Sequence, residues 1–103
     1  MSYATMELKI LRENEHELEF ILEGEDHTFC NLLVNILLED PLVEFSAYRI
    51  PHPLIRKPIV YVRTRDGSPR EAVMRACDKI VALMNELKTK FREALSRHEA
   101  GTE

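Results

Sequence analysis

One uninterrupted helical run fills roughly the last third of the chain, and it limits the available folds more than any other feature. Ser68-Pro69-Arg70-Glu71 is a helix start: Ser serves as N-cap, Pro occupies N1 where its missing N–H costs nothing, and Glu at N3 completes a capping box. Beyond it Val73, Cys77, Ile80, Met84, Leu87, Phe91 and Ala94 recur in alternating steps of four and three, the seam of a helix packed lengthwise on another helix. Met74, Ala76, Val81 and Leu83 widen the first half of that seam. A helix from Ser68 to about His98 would be roughly 45 Å long, whereas strands of six or seven residues reach about 20 Å. At least a third of it therefore projects past any sheet, carrying Leu87, Phe91 and Leu95 with it. Each such side chain left in water forgoes roughly 1.5–3 kcal/mol, so the pattern predicts a partner that covers them.

The rest of the chain reads as strands and one shorter helix. Met6, Leu8 and Ile10 alternate with Glu7 and Lys9, and Leu18, Phe20 and Leu22 alternate with acidic residues, which predicts a hairpin of two half-buried strands. Gly24 to His27 is a turn. From Thr28 the period changes, and Phe29, Leu32, Leu33, Ile36 and Leu37 form one apolar stripe of an amphipathic helix, capped by Asp26 or Thr28 and stopped by Pro41. Val43 to Ile50 and Ile59 to Thr64 are rich in β-branched and aromatic residues and read as a second strand pair, joined by the proline-rich stretch from Pro51 to Pro58. In the first of these the apolar parity shifts from Val43, Phe45, Ala47 to Tyr48, Ile50, the mark of a bulge. The order β-β-α-β-β-α predicts an α+β two-layer sandwich: a four-stranded, mainly antiparallel sheet with both helices on one face and the second helix long.

Composition narrows the function. With 103 residues, 45% hydrophobic and 31% charged, the chain is expected to form a single globular domain over 1–103, its core spanning about 6–95. Eighteen acidic side chains against 14 basic give a net charge of −4, which disfavours direct DNA binding. Its short apolar runs predict no membrane span, and the start MSYATMELK has no signal-peptide pattern. Cys30 and Cys77 lack CxxC or His-ligand spacing, so neither a zinc knuckle nor a disulfide framework is expected, and a reducing compartment is.

Candidate chemistry is sparse. His27, between Asp26 and Thr28, could serve as a general base oriented by a carboxylate, although a turn and helix cap explains it as well. His52, between two prolines, has no second ligand nearby in sequence. Cys30 and Cys77 fall on the apolar sides of their helices and read as buried structural thiols. Arg56 and Lys57, with Arg63 and Arg65, form a basic cluster that reads as a solvated edge, and Met74 and Met84 read as core or interface.

Three ordered stretches nevertheless match a known pattern. Glu23-Gly24-Glu25-Asp26-His27-Thr28-Phe29-Cys30-Asn31-Leu32-Leu33, then Tyr48-Arg49-Ile50-Pro51-His52-Pro53-Leu54, then Asp66-Gly67-Ser68-Pro69 with the helix to Phe91, resemble the motifs of the small alpha-like subunits of multisubunit RNA polymerases. That family comprises subunit L of archaea, the eleventh subunit of eukaryotic RNA polymerase II and its counterpart in polymerases I and III, and is similar to the bacterial alpha dimerisation domain. Its matching positions here are Gly24, Asp26, His27, Thr28, Asn31, Pro51, His52 and Pro53, and Cys30 stands where the family usually has Gly. In length the chain looks most like the archaeal form.

The resemblance implies a non-catalytic assembly subunit of a nucleotidyltransferase complex, DNA-dependent RNA polymerase, acting in the archaeal cytoplasm without a cofactor or metal of its own. Its obligate mate would be the larger alpha-like RNA polymerase subunit. Through that pair it would reach the large catalytic and small zinc-binding subunits. Phe29, Leu32, Leu33, Ile36 and Leu37 of the first helix and Ile80, Met84, Leu87 and Phe91 of the second would form the heterodimer interface. Two other classes compete on the residues alone: a small enzyme on a pterin-dehydratase-like fold using His27 and His52, and a homodimeric regulator joined by the same seam.

Overall fold

A computed structural model describes residues 6–52 and 54–101. The elements are β1 (Glu7–Glu13), β2 (Glu17–Glu23), α1 (His27–Glu39), β3 (Val43–Arg49), β4 (Ile59–Thr64) and α2 (Pro69–Gly101). The four strands form one antiparallel sheet in the order β1-β2-β4-β3, with the helices packed on one face, as the sequence predicts. The family expectation of a β-β-α-β-β-α sandwich with a long second helix is met.

Each boundary has a local cause. Asp26 caps α1, its Oδ1 accepting from the N–H of Thr28 at 3.1 Å and of Phe29 at 3.4 Å, so the helix begins at His27 and Thr28 lies inside it. Gly24, at φ 96°, turns the chain between β2 and that cap, a left-handed conformation that a Cβ opposes. At the start of α2, Ser68 Oγ accepts from Glu71 N–H at 3.1 Å with Pro69 in the first turn, and α2 then runs 33 residues, to Gly101 rather than His98.

The core gathers the inward residues Leu18, Phe20, Leu22, Val60 and Val62 of the sheet under Cys30, Leu33, Val34 and Leu37 of α1 and Ala72 and Ala76 of α2. Small alanines let α2 approach closely. The bulge in β3 lies between Val43 and Phe45, earlier than the parity shift near Tyr48 suggests. There Glu44 is the extra residue, which keeps Val43, Ser46 and Tyr48 on the helix side and turns Phe45 and Ala47 outward. A second register shift, between Ile10 and Arg12 in β1, has no counterpart in the apolar pattern.

Two expectations of burial are corrected. All seven residues of β1 are exposed, Leu8 at 56% and Ile10 at 45%, because β1 is an edge strand and the helices cover the sheet inward from β2. Cys77 is exposed as well, on a part of α2 that nothing in this chain covers, whereas Cys30 is fully buried as expected.

Candidate partner interface

The apolar stripe of α1 divides. Leu33, Ile36 and Leu37 are 3%, 8% and 0% exposed, already covered by the chain's own sheet and α2, so they support α1 from beneath instead of offering a surface. Phe29 and Leu32, one step around the helix, are only partly buried against that core. On α2 the change comes after Ile80, which is partly buried: every residue from Val81 to Gly101 is exposed. Met84 at 47%, Leu87 at 61%, Phe91 at 62% and Leu95 at 47% line up along this free stretch at steps of three and four. With α2 about 50 Å long at 1.5 Å per residue, roughly 30 Å of helix carries them.

The free helix continues into a groove that the sequence does not single out. Leu8 and Ile10 of β1, Leu18 and Phe20 of β2, and Arg70, Val73 and Met74 of α2 enclose an open trough of about 330 Å³. Arg70 closes one side of it by pairing with Glu13 at the end of β1. Strand alternation marks Leu8 and Ile10 as a face; it carries no signal that the face stays uncovered. Exposed apolar surface of this extent, contiguous along one helix and one edge strand, is what a protein–protein interface requires. Residues 79–98 add charge: Lys79, Lys88, Lys90, Arg92 and Arg97 against Glu86 and Glu93, on a chain whose net charge is −4.

The histidines are not brought together. His27 lines a cleft of about 410 Å³ with Glu25, Asp26, Ile50, Ile55 and Arg56, and its Nδ1 is hydrogen-bonded to the Tyr48 hydroxyl at 2.8 Å, with the two rings edge-on at 5.6 Å. That contact ties the first turn of α1 to β3. His52 lines a separate cleft of about 320 Å³ with Ile21, Pro51, Ile55, Lys57 and Ile59. Asp26, the carboxylate beside His27, is engaged at the helix cap. Among the described residues no group of three His, Cys, Asp or Glu side chains could hold a metal ion. Pro53 lies outside the described residues; Thr28, Asn31 and Pro51 are exposed.

The remaining candidates resolve into structure. Burial, with the charges of Glu25 and Asp26, pushes the Cys30 thiol up to about 11, which removes it as a nucleophile. Lys57 pairs with Glu23 at 3.2 Å, Arg63 donates to the Tyr61 hydroxyl at 3.0 Å, and Arg65 reaches the Val43 carbonyl at 3.4 Å. The basic cluster is therefore dispersed. No described helix is long and apolar enough to cross a membrane.

Known proteins share this arrangement. Residues 17–90 match the RNA polymerase Rpb3/Rpb11 dimerisation domain. DNA-directed RNA polymerase subunit Rpo11 of Archaeoglobus fulgidus is 45% identical over 82 residues, covering 80% of this chain and 95% of that protein. Its counterpart in Pyrococcus furiosus is 45% identical over 94 residues, covering 87% and 98%. The crystal structure of DNA-directed RNA polymerase subunit L from Thermoplasma acidophilum superposes with a TM-score of 0.84 at 30% identity, covering 97% of this chain and 99% of that one. With its sequence, its fold and its free helix face in agreement, the chain belongs to the Rpb3/Rpb11 dimerisation-domain family of RNA polymerases.

Proposed function

We propose that this chain is the small alpha-like subunit of a DNA-directed RNA polymerase in the archaeal cytoplasm, and that it pairs with the larger alpha-like subunit to form the platform on which the catalytic subunits assemble. The observation that carries this reading is the uncovered face of α2, with Met84, Leu87 and Phe91 held in water by a helix that the chain's own core does not reach. Phe29, Leu32 and Ile80 extend that face toward the body, and Leu8, Ile10 and Met74 widen it along β1. The basic flanks between Lys79 and Arg97 favour a mate whose facing surface is acidic. Separate clefts for His27 and His52 leave the enzyme reading without a shared site.

The test is the solution mass, by light scattering after gel filtration, of this chain alone and co-expressed with the larger alpha-like subunit of the same organism. A one-to-one complex that Phe91→Glu dissolves supports the pairing. A monomer indifferent to that mate overturns it.

A further inference from the structure

A second apolar feature lies away from α2. Leu54 is 98% exposed, the most exposed of the large apolar side chains among the described residues, and Ile55 beside it is 48% exposed. They sit on the loop between β3 and β4, which shares no residue with the α2 face or the β1 trough.

This loop is held out from the body by its own backbone. Gly24 N–H donates to the Arg56 carbonyl at 2.8 Å and Leu22 N–H to the Pro58 carbonyl at 3.0 Å, which staples the descending limb to β2 and its turn. Within the loop Ile55 N–H reaches the His52 carbonyl and Lys57 N–H the Ile55 carbonyl, both at 2.9 Å. Clefts of about 410 and 320 Å³ open on either side of Ile55, each with apolar walls into which a slack loop would collapse. Leu54 instead stands clear of both.

Charge indicates what the ridge meets. Nearby cations are mostly spent, Lys57 on Glu23 and Arg49 on Glu19, but among the described residues Arg56 has no ion pair although Glu25 and Asp26 line the same cleft. A phosphate backbone is the wrong counterpart, because Glu23, Glu25 and Asp26 surround the one free guanidinium and nothing offers stacking to a base. A carboxylate at the rim of an apolar pocket fits both Leu54 and Arg56.

We propose that this loop is a second docking site, which inserts Leu54 into an apolar pocket of a protein partner other than the one on α2 and pairs Arg56 with an acidic side chain at that pocket's rim. The chain then joins two proteins, one through α2 and one through the β3–β4 loop.

The test rests on the assembly role proposed above, and it reads the α2 pair separately so that the two readings fail distinguishably. The polymerase is reconstituted from separately purified subunits with a benzoyl-phenylalanine photo-cross-linker in place of Leu54, and in parallel with Leu54→Asp and Arg56→Glu. The expected result is one cross-linked protein that is not the α2 partner, its cross-linked peptide apolar with an Asp or Glu. Each charged variant weakens that protein's incorporation at least tenfold while the mass of the α2 pair and the melting temperature stay unchanged. Cross-linking only to the α2 partner, only to a second copy of this chain, only to nucleic acid, or to nothing overturns the proposal, as does normal assembly of both variants.

Discussion

Arg75 on α2 donates from Nε to Oδ2 of Asp40 at 2.8 Å, fastening the long helix to the residue that ends α1. Asp40 also accepts from the Leu42 N–H at 2.9 Å, so one carboxylate joins both helices to the turn leading into β3. Burial alone would raise its pKa. The hydrogen bonds from Arg75 and Leu42, with the charges of Arg75 and Lys79, outweigh that and hold it below its ordinary 3.8. A carboxylate lowered in the folded state stabilises fully above the unfolded value and loses that contribution as pH falls through the folded one. Asp40→Ala should therefore cost about 2 kcal/mol at neutral pH, and the gap to the parent chain should close below about pH 3.8. Urea denaturation across that range checks it; a gap that persists in acid refutes the linkage.

Glu17 should titrate far below an ordinary carboxylate. The Tyr61 hydroxyl donates to its Oε2 at 2.5 Å, Asn14 and Arg12 donate to Oε1 at 3.1 and 3.0 Å, and together they lower its pKa from 4.5 to about 2. Any stability it lends is complete above pH 4.5 and lost as pH falls toward 2. Carboxyl-resonance titration should place its midpoint near 2 in the parent chain and shift it upward in Tyr61→Phe, which removes the leading donor. An unshifted midpoint in that variant would assign the effect to Arg12 and Asn14 alone.

Gly24→Ala should destabilise without disturbing any side-chain contact. At φ 96° the new Cβ meets its own backbone, at a cost of about 1–2 kcal/mol. For a domain of this size that is a fall of roughly 4–16 °C in melting temperature. Scanning calorimetry reads it directly, and Gly24→Asn should lose less, since Asn tolerates the left-handed region better.

Much of this fold is legible in the sequence because its signals are local. Ser68-Pro69 with Glu71 marks the start of α2 to the residue, and the change from alternation to a 3.6 period at Thr28 locates α1 within one. What periodicity reports is apolarity, not what covers it. Leu37 and Phe91 look equivalent in sequence, yet one lies under the sheet's inner face and the other in water, since only the packing of α2 over Ala72 and Ala76 decides where the chain's own core ends. The same blindness hides the uncovered Leu8 and Ile10, whose fate depends on β1 lying at the sheet edge. Parity misplaces the bulge at Glu44 because Phe45, an apolar residue, faces outward against Tyr61 and so imitates the inward row.

That division between core and free face gives the last expectation. Leu37→Ala removes a fully buried side chain beneath α1 and should cost about 2–5 kcal/mol, lowering the denaturation midpoint of the isolated chain. Phe91→Ala removes a side chain 62% exposed and should leave that midpoint within about 0.5 kcal/mol of the parent. In the complex with the larger alpha-like subunit the order should invert. Phe91→Ala should raise the dissociation constant by at least tenfold, because an aromatic desolvated at an interface contributes about 2 kcal/mol or more. Leu37→Ala should weaken pairing only as far as it unfolds the chain, so that in a background restabilised to the parent midpoint its affinity returns to normal. Equal stability losses for the two variants in the isolated chain would mean that α2 folds back on its own body, and the free face would not exist.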